Sequence, residues 1–117
     1  MTLTEKKKIW LDALRSGEYK QATETLHNLD TGGFCCLGVA AKVWGLGDPE
    51  VFGRSYDAEN NFIHDGPKSI YDSIVIITSG EYWIGDVMVM NDDETPFDII
   101  ADFIEEHWVI EEPTLEQ

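Results

Sequence analysis

The chain has 117 residues, a formal net charge of −15, 43% hydrophobic residues and 11% aromatic residues. This length fits one domain over residues 1–117, and the hydrophobic content excludes an intrinsically disordered chain. No apolar run approaches the ~18 residues that span a bilayer. Asp12 follows the short apolar run 9–11 too closely for a signal peptide. We therefore expect a cytoplasmic protein that does not enter a membrane.

The negative charge is concentrated in the second part of the chain. Residues 1–45 carry six basic and five acidic residues, whereas residues 46–117 carry two basic and eighteen acidic ones. No Lys or Arg follows Lys68. Because phosphate contacts require Lys and Arg, direct binding to nucleic acid or to an anionic membrane is disfavoured. Such an acidic segment suits a basic protein partner, or serves only to keep the protein soluble.

The first predicted element is an amphipathic helix over residues 3–16. Thr2 and Glu5 have the spacing of a capping box, and Gly17 supplies a stop signal. Apolar residues recur at helical spacing on one face, and Trp10 is the main core residue expected there.

A short buried helix is predicted at the centre of the fold. Residues 18–29 fit either a short helix or a strand, and a turn at 30–33 follows them. Residues 34–45 are apolar almost all round, and Gly45 stands where helices commonly end in a left-handed cap. Because a helix that is apolar on every side is stable in water only when covered, we expect the other elements to pack around it.

The middle of the chain favours extended structure. Residues 56–63 resemble two short strands around a polar turn. Residues 74–77 and 82–84 are rich in β-branched and aromatic side chains and are separated by a Ser-Gly pair. This pattern predicts a β-hairpin, and residues 87–90 would continue its sheet.

A second amphipathic helix is predicted near the end of the chain. Thr95 is expected as its N-cap and Pro96 as its first residue, with the end near 107–109 and a frayed tail over 110–117. Its apolar stripe consists of Phe97, Ile100, Ala101, Ile104 and Trp108. The predicted fold is α+β, in which two outer helices and a buried central helix pack on a small antiparallel sheet from residues 56–90.

Three stretches of the sequence carry a family resemblance. They are Trp10-x3-Leu14-Arg15-Ser16-Gly17-x-Tyr19-x-Gln21, then Gly33-Phe34-Cys35-Cys36-Leu37-Gly38-Val39, and finally Met90-Asn91-Asp92 with Phe97 and Ile100-Ala101-Asp102-Phe103-Ile104-Glu105. With these stretches the chain resembles a group of small uncharacterised proteins encoded by bacteriophages and found in marine metagenomes. The Phe-Cys-Cys-Leu-Gly-Val run is the most specific of the three. The resemblance implies an origin. It does not indicate any activity.

The adjacent cysteines are the only candidates for nucleophilic chemistry. Cys35 and Cys36 stand at the expected start of the central helix, where backbone N–H groups favour a thiolate. His27, His64 and His107 are the residues that could serve as a base in a thiol enzyme. Because free cysteines usually pack as small hydrophobes, we expect these two to belong to the core.

A second group of polar residues follows the first helix and precedes the last one. Arg15, Tyr19 and Gln21 belong to the first of these three stretches, and Asn91 and Asp92 belong to the third. Loop residues held by rigid elements often bind ligands, so these five could line a common pocket. The alternative is an ion pair between Arg15 and Asp92 near the helix ends.

The sequence favours a non-enzymatic accessory protein that binds a basic protein through residues 81–117. A thiol-dependent enzyme and a protein that sequesters a small ligand are the alternatives. We expect neither a metal nor a cofactor. The two calcium-loop-like patterns have Phe62 and Pro96 where such a loop requires glycine, and the sequence has no phosphate loop, dinucleotide fingerprint or zinc motif.

Overall fold

The fold is taken from a computed structural model, which describes residues 1–23, 25–28, 30–46, 67–80 and 82–110. Its elements are α1 (Leu3–Arg15), β1 (His27–Asn28), β2 (Gly33–Phe34), α2 (Cys36–Trp44), α3 (Pro67–Thr78), α4 (Trp83–Asp92) and α5 (Phe97–His107). Five helices and one small sheet within these ranges confirm the predicted α+β class.

Helix α1 begins at the predicted capping box. Thr2 Oγ1 accepts a hydrogen bond from the Glu5 backbone N–H at 3.0 Å, and a Glu5 carboxylate oxygen accepts one from the Thr2 N–H at 2.7 Å. Gly17 follows the helix with a φ of 79°, a conformation that favours glycine. Trp10 and Leu14 are buried one turn apart, so the amphipathic helix is confirmed.

Helix α2 is the predicted central helix. Its backbone begins at Cys36, two residues later than expected, because Phe34 belongs to β2. Seven of its nine residues are buried, and Gly45 ends it in the left-handed conformation with a φ of 69°. The helix also lies against the backbone that leads into β1, since a Cβ atom at Gly38 would overlap the carbonyl oxygen of Leu26.

Three tryptophans join α1 and α2 to the end of α5. The ring of Trp10 lies edge-on to those of Trp44 and Trp108, with centroids 5.3 and 6.0 Å apart. The indole N–H of Trp10 donates to the Cys36 carbonyl and that of Trp44 to the Lys6 carbonyl, each at 2.9 Å. Both buried N–H groups therefore have partners, as such groups require.

The sheet forms at a different place from the predicted one. Strands β1 and β2 pair antiparallel across the expected turn. The preceding segment runs beside β2, because the Ala22 N–H donates to the Phe34 carbonyl at 2.8 Å and the Phe34 N–H to the Lys20 carbonyl at 2.7 Å. The ambiguous segment after α1 therefore contributes extended backbone beside this small sheet.

The predicted β-hairpin is wrong. Residues 74–77 lie in α3. Residues 82–84 lie at the start of α4, and residues 87–90 lie within α4. The buried residues of α4 are Trp83, Ile84, Val87 and Asn91. This spacing is helical, so tertiary packing of one face has outweighed the β-propensity of the side chains. The predicted strands at 56–63 lie outside the described residues.

Helix α5 packs mainly against α1 and α4. Its predicted end is confirmed, but Pro96 and not Thr95 occupies the N-cap, with its carbonyl accepting from the Ile100 N–H at 3.0 Å. At the C-terminal end of α5, the Lys7 ammonium group of α1 donates to the carbonyl groups of Glu105 and Trp108. The end of a helix that carries its free carbonyl groups is a favourable place for a cation. Apart from the half-buried Ile110, the predicted tail lies outside the described residues.

Candidate functional site

The paired cysteines lie at the start of α2. Cys35 is the half-buried N-cap, and its sulfur accepts a hydrogen bond from the Gly38 N–H at 3.3 Å. Cys36 is fully buried, and its thiol donates to the Val87 carbonyl at 3.8 Å. Both are free thiols. One cysteine thus caps the helix, and the other packs between α2 and α4.

The surroundings of both thiols favour the protonated form. Burial raises the pKa of Cys35 to about 11, although the N–H groups of Gly38 and Leu37 act in the opposite direction. Burial also raises the pKa of Cys36 well above its usual value. Desolvation therefore outweighs the helix N-terminus, and little thiolate is available at neutral pH.

The two described histidines take part in aromatic stacking. The ring of His27 stacks on Phe34 with centroids 4.2 Å apart. The ring of His107 stacks on Phe103 at 4.0 Å, and its Nδ1 lies 2.9 Å from the Phe103 carbonyl oxygen. His64 lies outside the described residues.

Asn91 joins three parts of the chain from a position that is 1% exposed. Its side-chain oxygen accepts hydrogen bonds from the Cys36 N–H and from the Gln21 amide, each at 3.1 Å. Its amide nitrogen donates to the Ala22 carbonyl at 2.8 Å. The Gln21 amide also donates to the Thr95 carbonyl at 2.8 Å. Two of the predicted binding residues, Gln21 and Asn91, therefore meet in an internal network.

Arg15 lies elsewhere, between α1 and α5. It donates to Asp102 at 2.8 Å and to Glu105 at 2.6 Å, and these carboxylates raise the pKa of its guanidinium. The suggested ion pair between Arg15 and Asp92 is wrong, because the guanidinium is directed to α5. Asp92 is exposed at the end of α4.

A polar cleft of ≈ 290 Å³ lies beside the small sheet. It is lined by Lys20, Gln21, Ala22, Thr23, Asn28, Thr31 and Glu94. Gln21 is the one predicted binding residue in this lining, whereas Tyr19 packs its ring edge-on against Phe34 at 5.6 Å. Lys20 and Glu94 bring opposite charges to the cleft. Nothing in the local sequence pattern indicates that Glu94 lies beside residues 20–31.

The solvent-facing side of α4 combines apolar and acidic side chains. Tyr82, Asp86, Val89 and Asp93 form this α4 outer face. Tyr82 is 77% exposed and Val89 is 61% exposed. Tyr82 is the N-cap and has a right-handed helical backbone, so it continues the helical spacing. The strand prediction for this segment missed the face, which becomes evident once positions are read at intervals of three and four.

Eight carboxylates from 82–110 form an acidic surface. They are Asp86, Asp92, Asp93, Glu94, Asp98, Asp102, Glu105 and Glu106, and all are exposed. Residues 69–117 contain no Lys or Arg. Any cation that balances this surface must therefore come from another segment, as Arg15 does for Asp102 and Glu105.

Two kinds of feature are absent from the residues that the structure describes. Among those residues, no three His, Cys, Asp or Glu side chains lie together in a way that could hold a metal ion. None of the five helices found there is long and apolar enough to cross a membrane.

The first part of the chain is similar to a protein family. Residues 2–51 are similar to the family model described as a Domain of unknown function (DUF8296). No curated protein and no solved structure gives a significant match. The matched segment includes α1, the small sheet and α2, and is consistent with an uncharacterised family. The acidic surface lies outside it.

Proposed function

We propose that this protein acts by binding a basic protein partner through its acidic surface. The observation that carries the proposal is the exposure of eight carboxylates on a segment that has no Lys or Arg. Such a surface attracts a cationic partner over roughly a Debye length, about 10 Å at 0.1 M salt.

The packing of α4 and α5 supports this role. The buried face of α5 lies against α1 and α4, and Arg15 and Lys7 add polar contacts from α1. Six of the eight carboxylates therefore stand on helices that are held in place before a partner arrives. A fixed arrangement of charge loses less conformational entropy on binding than a flexible acidic tail would, and it favours specificity.

The proposal describes a binding protein and not a catalyst. The raised pKa of both thiols gives no support to a thiol-dependent enzyme, since the thiolate is the nucleophile. We further propose a bacteriophage origin, from the motif resemblance, and action in a reducing cytoplasm, where free adjacent cysteines persist.

Binding to a defined cationic probe tests the proposal. The probe is a fluorescent Lys-rich amphipathic peptide, and its affinity is measured by anisotropy between about 0.05 and 0.3 M salt. We expect the affinity to fall at least about tenfold over this range.

Two triple variants with the same change in charge supply the control. Asp86→Asn, Asp93→Asn and Asp98→Asn alter the acidic surface, whereas Asp12→Asn, Glu18→Gln and Asp30→Asn alter exposed carboxylates in the first part of the chain. The first set should weaken binding much more than the second. Equal effects, or no binding of the peptide at low salt, would exclude the proposed surface.

The cleft supports a second candidate function, the binding of a small zwitterionic molecule. Lys20 and Glu94 offer one charge of each sign at its edge, and ≈ 290 Å³ is near the lower limit for ligand pockets. A thermal-shift screen against free amino acids and other small zwitterions tests this candidate. The stabilisation by any compound found should disappear in Glu94→Gln, and a screen with no stabilising compound rejects it.

A further inference from the structure

We infer that the α4 outer face docks a basic amphipathic helix of the partner. This inference rests on the proposed function and specifies where the partner binds and what form it takes. The face presents two large apolar side chains, Tyr82 and Val89, which are 77% and 61% exposed. Single exposed apolar residues are common on protein surfaces, but these two lie on one face of one short helix.

The spacing of the two side chains suits a helix as the partner. Tyr82 and Val89 are seven positions apart, which is two turns and about 10 Å along the helix axis. Apolar residues recur every three to four positions along the contact line between packed helices, and residues seven apart occupy equivalent places on it. A partner helix with two apolar side chains at the same interval can contact both at once.

The charges beside these side chains determine the sign of the charge that the partner must carry. Asp86 follows Tyr82 by four residues, and Asp93 follows Val89 by four. Lys or Arg residues that flank the apolar positions of the incoming helix would face these carboxylates, as charges beside an apolar seam do in coiled coils. The same acidic charge disfavours a second copy of this chain, which would bring like charges together.

Two peptides of identical composition distinguish the inference from the broader proposal. Both are Lys-rich helical peptides of about 18 residues; one has its apolar residues on a single face, and the other has them scattered around the helix. The acidic surface alone would bind both peptides equally. The α4 outer face should bind the amphipathic peptide at least about tenfold more tightly, which corresponds to about 1.4 kcal/mol.

The double variant Tyr82→Ser/Val89→Ser is the direct test. It should remove the preference for the amphipathic peptide, mainly by faster dissociation, and leave binding of the scattered peptide unchanged. The matched control is Ile76→Ser/Val109→Ser, which alters two side chains that are 75% and 70% exposed outside the α4 outer face. This control variant should still bind the amphipathic peptide more tightly than the scattered peptide. Circular dichroism and thermal melting check that each variant is folded.

The other possible results of these binding experiments separate the docking inference from the proposed function. Equal affinity of the unaltered protein for both peptides would overturn the docking inference and leave the proposed function standing. Failure of both peptides to bind would overturn both. A concentration-dependent dimer in sedimentation, abolished by Tyr82→Ser/Val89→Ser, would assign the α4 outer face to a second copy and overturn the inference.

Discussion

The side-chain oxygen of Asn91 accepts a hydrogen bond from the backbone N–H of Cys36 at 3.1 Å. This contact joins the end of α4 to the start of α2, where the first N–H groups of a helix have no partner within the helix. Cys35 supplies the second cap through its sulfur and the Gly38 N–H. The central helix is therefore capped partly by its own preceding residue and partly by a residue 55 positions later.

Removal of the Asn91 amide should destabilise the whole fold. Asn91→Ala leaves the Cys36 N–H and the Ala22 carbonyl without their buried partner, and we expect a loss of about 3 kcal/mol in the free energy of unfolding. Urea denaturation measures this loss. Glu106→Gln, on the exposed side of α5, is the control and should change stability by less than about 0.5 kcal/mol. A loss of similar size in both variants would contradict the central role of Asn91.

Substitution by alanine should lower the stability of the fold at Gly38 and raise it at Gly85. At Gly38 the added Cβ would overlap the Leu26 carbonyl oxygen, and we expect Gly38→Ala to cost about 3 kcal/mol or more. At Gly85 no atom lies within 4 Å of the added Cβ, and alanine is a better helix former. Gly85→Ala should therefore stabilise by about 1 kcal/mol. Thermal melting of the two variants measures both effects, and equal shifts would disprove the close approach of α2 to Leu26.

Local patterns predicted the parts of the fold that are determined by neighbouring residues. The capping box of Thr2 and Glu5 joins residues three positions apart, and the cap at Gly45 requires only a glycine at the end of an apolar run. Both were predicted, together with the buried character of α2. The two-stranded sheet was not, because pairing of residues 27–28 with 33–34 depends on the course of the chain beside β2.

Long-range contacts explain one of the two remaining errors, and the balance between side-chain spacing and β-propensity explains the other. Arg15 pairs with Asp102 and Glu105, which are 87 and 90 positions away, and no local pattern selects them over Asp92. The α4 segment has strong β-propensity, but its buried residues recur at helical intervals. Greater weight on that spacing, and less on composition, would have predicted α4 and exposed its outer face.

The cysteines should react slowly in the folded protein. With the pKa of Cys35 raised to about 11 and that of Cys36 raised well above its usual value, alkylation by iodoacetamide at neutral pH should be far slower in native buffer than in denaturant. Mass spectrometry of timed samples counts the labelled thiols. Rapid native labelling of either residue would contradict its raised pKa and revive the thiol-enzyme alternative.

The same thiols make the fold sensitive to alkaline pH. The pKa of Cys35 is higher in the folded chain than the ordinary value of 9.0, so its contribution to stability is complete below about pH 9. That contribution is lost as the pH rises through about 11. Stability of the unaltered protein should thus fall more steeply across this range than that of Cys35→Ser/Cys36→Ala, which has no thiol to ionise. If the two proteins give parallel curves of stability against pH, the thiols contribute nothing to the pH dependence of stability.

Glycine at position 94 should strengthen the fold. Glu94 has a φ of 63°, in the left-handed region that non-glycine residues rarely adopt. Its N–H donates to the Asn91 carbonyl and the Thr95 N–H to the Met90 carbonyl, each at 2.9 Å, so Glu94 holds the position that usually belongs to glycine after a helix. Glu94→Gly removes the strain and should stabilise by about 1 kcal/mol.

Ser79 provides the matched control for this change. It also has a positive φ, of 52°, directly after α3, so Ser79→Gly should give a similar stabilisation. Of the two residues, only Glu94 lines the polar cleft. Glu94→Gly should therefore also lose the thermal shift produced by any zwitterion found in the screen, whereas Ser79→Gly should keep it. If both variants keep the shift, the carboxylate of Glu94 does not bind the ligand, and its strained backbone has no role in the cleft.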